Sequence, residues 1–408
     1  MDFTKVREDE EKSILEKKEI VEKDFWRQKY HIQGIVGLIN DPNGFSQFNG
    51  KYHMFYQWNP LGTNHKNKTW AHSVSGDLLH WKRLKTALRP DTWYSKDGAY
   101  SGSAIVDDDK LYLFYTGNVK DSDGNRESYQ CLAVSSDGEN FERWEPSIVN
   151  QPDGYTRHIR DPKIWKKDGK FYAVIGIQSE NLEGKAVLYS SENIKDWKFE
   201  GEIAGANHGK IKDFGFMWEC PDYFEVDGKE IFMFSPQGIT RMYPYYENMY
   251  QIGYSVVEEG IENVDKLDNF TLLDYGHDFY ASQTFLDEDN NRVLIGWMYV
   301  PDSSYTNPTT KFGYQNCLTV PRVVNFKDGK VRQTLHKSVK DLLGNDIETN
   351  DFNKNTWYYK QEHGESFEIN VADFKVSYEN KELKVSFGTS GYGRNDRKYK
   401  LDLEDVEI

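Results

Sequence analysis

The sequence predicts an all-β chain: a five-bladed β-propeller followed by an antiparallel β-sandwich of incomplete length. Three observations predict it. One short pattern recurs five times at nearly constant spacing. Tyr, Phe and Trp make up 15% of the 408 residues, and aromatic residues favour strands. The final stretch alternates polar and apolar residues, as a half-buried strand does.

The chain opens on an exception. Residues 5–24 read as a helix, with Ile14, Leu15, Ile20 and Val21 as a short apolar face among Glu and Lys. A solvated helix resting on the body of the protein is expected. The N-terminus has no apolar core of a secretory signal. No run of 18 apolar residues occurs that would cross a membrane.

Beyond residue 30 the pattern becomes a polar turn, a basic residue and an aromatic strand. It reads NGKYHMFYQW at 49–58, DDKLYLFYTG at 108–117, DGKFYAVIG at 168–176, DGKEIFMFS at 227–235 and NNRVLIGWM at 290–298. The basic positions Lys51, Lys110, Lys170, Lys229 and Arg292 are separated by 59, 60, 59 and 63 residues. Self-similarity at such a period marks a repeat architecture, and a four-stranded blade with its loops fills it. A later strand, a loop and a Trp recur in phase, at 73–81, 133–144 and 188–197. The propeller is expected over 31–335, with an irregular array of β-sandwiches as the alternative.

The repeat also locates a site. About ten residues before each basic position, on the expected innermost strand, lie Asn40-Asp41-Pro42, Tyr100-Ser101-Gly102, Arg160-Asp161-Pro162, Glu219-Cys220-Pro221 and Tyr280-Ala281-Ser282-Gln283. Equivalent positions of a propeller face the same end of its channel. Asp41, Asp161 and Glu219 should therefore converge. Buried carboxylates are costly unless paired or functional, so three at matching positions point to chemistry. Glycoside cleavage needs one carboxylic acid to protonate the leaving oxygen and one carboxylate opposite it. The rival use of such a cluster is Ca²⁺ or Mg²⁺ binding. No EF-hand spacing occurs, so neither a metal nor a cofactor is expected.

From about residue 341 the alternating pattern reads as antiparallel strands, and 341–408 is expected to form a partial β-sandwich. Missing strands would leave open sheet edges, so lower stability is expected than for a complete sandwich. Lys plus Arg number 51 and Asp plus Glu 66, a net charge of −15. That sign disfavours nucleic acid or an anionic membrane as partner. The three cysteines, Cys131, Cys220 and Cys317, form neither a disulfide framework nor a zinc motif, and suggest the cytoplasm.

Taken in order, INDPNG at 39–44, RDP at 160–162 and ECP at 219–221 resemble the three signature motifs of glycoside hydrolase family 32. WRQKYHIQG at 26–34, WAHSVSGDLLHW at 70–81, YSGS at 100–103, DFYASQ at 278–283 and TVPR at 319–322 extend the resemblance to about 26–340. It implies a retaining β-fructofuranosidase with Asp41 as nucleophile, Glu219 as acid/base and Asp161 as transition-state stabiliser. It places Asn40, Gln57, Tyr100, Ser101, Arg160, Tyr280 and Trp297 against substrate, and it implies a C-terminal sandwich. Arg160 would keep Asp161 ionised, and Trp70 and Trp297 would wall the sugar pocket. His65, with Lys66 and Lys68, resembles the intracellular sucrose-6-phosphate hydrolases and could meet a phosphate. Sucrose or a fructan is the alternative substrate, and a non-catalytic sugar-binding propeller the alternative of another class.

Overall fold

The computed structural model of the chain describes residues 3–408 apart from 207–212, 243–245, 259, 262–269, 302, 304, 345–358, 362–365, 372, 389–395, 402–405 and 408. The N-terminal helix is Phe3–Glu22, shifted two residues from the expected span. Its apolar face is narrower than expected. Ile14 and Val21 pack into the body, whereas Leu15 and Ile20 point to solvent. At 100° per residue those two lie off the Ile14–Val21 stripe. A buried ion pair anchors the helix instead: Glu10 accepts from Arg89 Nε at 2.8 Å and from Thr86 Oγ1 at 2.5 Å.

Five antiparallel sheets follow, each opening with a leading strand and a second strand. The leading strands are Gly37–Phe48, Ala99–Asp107, Tyr155–Lys167, Met217–Val226 and Tyr280–Leu286. The second strands are Lys51–Asn59, Lys110–Lys120, Lys170–Ser179, Lys229–Gln237 and Arg292–Trp297. The five basic residues of the repeat are thus the first residues of the five second strands. The turns before them need positive φ. Asn49-Gly50, Asp168-Gly169 and Asp227-Gly228 all lie between 50° and 81°, as a two-residue hairpin turn demands.

The second strands are buried almost end to end, which explains their nearly unbroken apolar runs. Each sheet is covered on both faces by its neighbours. Phe55 meets Phe141, Phe114 stacks on Trp197, Trp165 meets Tyr223, and Phe45 meets Phe285 with centroids 4.1 Å apart. The leading strands also bond to one another. Gly102 N donates to Asn43 Oδ1, Ser103 Oγ to the Pro162 carbonyl, Cys220 N to Asp161 Oδ2 and Thr284 N to Asp222 Oδ2. Phe45 N donates to Gln283 Oε1, linking first sheet to fifth. Tyr314–Gln315 adds a parallel strand beside Gly37 and Leu38.

The C-terminal region holds a four-stranded antiparallel sheet, Phe367–Val371, Phe374–Glu379, Glu382–Phe387 and Arg397–Lys400. Lys360–Gln361 pairs separately with Val406–Glu407. Ile369, Val376, Tyr378, Leu383, Val385 and Tyr399 are its buried apolar residues, and most of them pack with Leu272. Much of the expected 341–408 sandwich lies outside the described residues.

Candidate active site

Every leading strand breaks step with its second strand at the same place. The register shifts fall between Ile39 and Pro42, Tyr100 and Gly102, Glu219 and Asp222, and Tyr280 and Gln283; in the third sheet the break spans Arg160 to Lys163. These are bulges, which re-aim side chains and tolerate a proline that cannot donate to the ladder. Pro42, Pro162 and Pro221 occupy three of them. Asp161, Cys220 and Ala281 have φ of 65°, 46° and 52°, a left-handed conformation that non-glycine residues adopt at a cost. The local strain turns the motif residues to one common point.

Cys220 sits at that point. Its Sγ lies 3.7 Å from Asp161 Oδ2 and 4.0 Å from Asp41 Oδ2, and its backbone N–H donates to Asp161 Oδ2 at 3.1 Å. Burial, with three carboxylates around it, pushes the thiol far above its ordinary pKa, so it stays a neutral packing group. The expected convergence of Asp41, Asp161 and Glu219 is therefore present in the geometry.

Each carboxylate has different company. Asp41 Oδ2 accepts from Ser101 Oγ at 2.6 Å and Oδ1 from Asn40 Nδ2 at 3.0 Å. Glu219 Oε1 accepts from Arg160 Nη2 at 2.8 Å and Nε at 3.0 Å. Its Oε2 accepts from Gln237 Nε2 at 2.6 Å and from Tyr280 Oη at 2.9 Å. Arg160 thus hydrogen-bonds Glu219 and stays within ion-pair range of Asp161, as the sequence suggested, its Nε 3.9 Å from Asp161 Oδ2. Asp161 pairs poorly, and its carboxyl is pushed up to about 7. Burial is the main cause; Glu219 and Asp41 add to it and Arg160 opposes it. Burial and the adjacent Glu219 also push the Tyr280 phenol well up, which keeps it a proton donor.

The sequence-derived sugar contacts divide. Asn40, Ser101, Arg160 and Tyr280 touch the carboxylates directly. Tyr100 is half-buried at the edge, under the Arg126 guanidinium 5.4 Å from its ring. Trp297 is 1% exposed, and its Nε1 has no hydrogen-bond partner among the described residues. Trp70 lies behind the site. Trp70 is wholly buried among Phe55, Leu113 and Tyr115, and its Nε1 donates to the Tyr100 carbonyl. It supports the wall and is not the wall. Gln57 is as buried as Asn40 and Tyr280, and its amide donates to the Ala99 carbonyl at 2.8 Å, two residues before Ser101.

The basic cluster also divides. His65 is exposed and meets Trp297 edge-on at 5.6 Å, and Lys66 is exposed. Lys68 turns inward. Its ammonium donates to Asn40 Oδ1 and lies 3.2 Å from His65 Nδ1. Burial lowers its pKa to about 8, against the pull of Asp41 and Glu219. Lys68 therefore fixes the amide that holds Asp41. Sequence reasoning also missed Gln237, which reaches Glu219 from the end of a second strand and carries no motif. Among the described residues, no three His, Cys, Asp or Glu side chains are grouped to hold a metal ion.

Residues 31–336 match the glycosyl hydrolases family 32 N-terminal domain. The chain is 47% identical over 335 residues to a sucrose-6-phosphate hydrolase of Bacillus subtilis (strain 168), covering 81% of this chain and 70% of that protein. It is 38% identical to a sucrose-6-phosphate hydrolase of Staphylococcus xylosus, over 98% of this chain and 81% of the relative. Among solved structures, the sucrose-6-phosphate hydrolase of Lactobacillus gasseri superimposes with a TM-score of 0.86 at 31% identity, over 97% of this chain and 86% of that one. A Bombyx mori beta-fructofuranosidase of the same family, in complex with sucrose, gives 0.81 at 32% identity, over 98% and 87%.

Proposed function

The chain belongs to glycosyl hydrolases family 32, and we propose that it hydrolyses the β-fructofuranosyl bond of sucrose 6-phosphate, with sucrose as a poorer substrate. The observation that carries this is the meeting of Asp41, Asp161 and Glu219 around one buried thiol, from three different strands. The names of the most similar relatives support the phosphorylated substrate. A phosphorylated sugar does not cross a bilayer unaided, which supports a cytoplasmic location.

In this reading Asp41, held by Ser101 and Asn40, attacks the anomeric carbon of the fructosyl ring. Glu219 gives its proton to the leaving glucosyl oxygen, then takes one from the water that releases fructose. A carboxylate nucleophile followed by water gives retention. Asp161 accepts hydroxyls of the fructosyl ring; their donation favours its ionised form, which stabilises positive charge developing on the sugar. The unpartnered Trp297 N–H supplies one more donor. The five sheets form the blades of a closed propeller over 31–335, and 341–408 belongs to a separate sandwich domain. The bonds running from each leading strand to the next, and from fifth to first, support closure.

The test compares kcat/KM for sucrose 6-phosphate and sucrose on the same preparation. A value for the phosphorylated sugar at least tenfold higher is expected, on the order of one charge-assisted hydrogen bond. Equal values overturn the substrate assignment. Asp41→Asn with wild-type kcat overturns the nucleophile.

A further inference from the structure

Lys68 is committed to Asn40 beside Asp41, so a phosphate on the leaving sugar needs another cation. Arg126 is the candidate. Arg126 opens the third strand of the second sheet, Arg126–Ser135. It lies half-buried, its guanidinium over the Tyr100 ring at 5.4 Å. Its Nη1 is 3.4 Å from His158 Nδ1, and Arg160 Nη1 is 3.3 Å from the same nitrogen. Arg160 in turn bonds Glu219. Arg126 is thus three contacts away from the proposed acid, with two residues between them.

His158 explains how two cations share this edge. A guanidinium only donates, so Nδ1 must be a bare acceptor and the ring neutral. Burial is the main reason its pKa falls to about 4, and Arg160 and Arg126 reinforce it. The acids near Arg126 in sequence are engaged elsewhere. Glu127 pairs with Arg157 at 3.3 Å, and Asp121 accepts from Asn125. In a chain of net charge −15, no carboxylate within 4.0 Å of Arg126 is found among the described residues. A propped guanidinium that feels Glu219 and Asp161 at a distance but touches no carboxylate directly keeps its donors free for an oxyanion.

We propose that Arg126, propped by His158 and stacked on Tyr100, binds the phosphate of the leaving glucosyl group and sets the preference for sucrose 6-phosphate. This rests on the substrate reading above. The phosphate takes the fork of Arg126 in a bidentate contact, and Tyr100 carries the guanidinium plane. Arg160 stays on Glu219 and takes no part in binding the phosphate.

The experiment measures kcat/KM on both sugars for wild type, Arg126→Gln and Arg126→Lys. The ratio of sucrose 6-phosphate to sucrose should fall by about 10–100-fold in Arg126→Gln, mainly through KM. Arg126→Lys, which keeps the charge but loses the fork, should fall between. A wild type without preference for the phosphorylated sugar removes the substrate reading and this inference with it. A wild type that has the preference, with an Arg126→Gln enzyme that keeps it, overturns the inference alone. A parallel loss on both sugars in both variants also overturns it, because it marks general damage to the site.

Discussion

The third and fourth sheets each carry buried charge at two places only a few residues apart, and the two places are built on opposite principles. At the first, Asp161 and Glu219 meet Asp41, and the nearby cations are Arg160 and Lys68. At the second, Lys163 meets Asp222, farther along the same leading strands. There the charges balance one to one. The Lys163 ammonium sits 2.9 Å from Asp222 Oδ1, off the hydrogen-bond axis, and donates to the Thr284 carbonyl at 2.7 Å. Asp222 Oδ2 accepts from Thr284 N at 2.7 Å. That arrangement ties three leading strands together. In the first cluster three carboxylates crowd together while Arg160 bonds Glu219, Lys68 bonds Asn40 and Arg126 stands farther out, so Asp161 holds its charge poorly. The difference separates charge that holds a fold from charge that waits for a substrate.

The contrast can be broken by substitution. Glu219→Gln should lower kcat on sucrose 6-phosphate by about 10³–10⁴-fold, roughly 4–5 kcal/mol of transition-state stabilisation, while its thermal transition stays close to wild type. Unchanged kcat would remove Glu219 as the acid. Asp222→Ala should do the reverse. Stranding Lys163 in the interior costs about 3–5 kcal/mol of stability by denaturant unfolding. The double variant Asp222→Leu with Lys163→Met should recover most of it. A stable Asp222→Ala protein would mean that the pair is not structural.

Asp161 sharpens the contrast most finely. Its folded pKa of about 7 lies above the ordinary 3.8. Between those values the folded chain holds a proton that the unfolded chain has released. The stability contribution of this group is therefore present at low pH and falls as pH rises toward 7. Asp161→Asn removes that dependence. Its stability relative to wild type should improve by about 1–3 kcal/mol from pH 4 to pH 8, with activity lost throughout. Equal stability differences at both pH values would show that the buried carboxylate carries no strain.

The legible part of this site was its strand positions. Asp41, Asp161 and Glu219 could be named because they lie about ten residues before the basic positions that count out the sheets; that Pro42, Pro162 and Pro221 stand at bulges came from the structure. Asn40, Ser101, Arg160 and Tyr280 lie at the same strand positions, and their part in the site came from the resemblance to family 32. Trp70 lies behind the site, among Phe55, Leu113 and Tyr115, because alternation along a strand does not say which buried face meets the cavity. Gln237, His158 and Arg126 carried no signal. They come from other strands or other positions, and only the packing of neighbouring sheets brings them to Glu219.

The sequence by itself determined the five repeats, their turns and the strand positions of three carboxylates. Those depend on local periodicity and on the φ angles that Asn, Asp, Gly and Pro permit. Only the tertiary structure decided which group each cation serves: Arg160 on Glu219, Lys68 on Asn40, Arg126 on His158. These contacts depend on distances of a few ångströms between residues 28, 32 and 59 positions apart in the chain, and no local pattern encodes them.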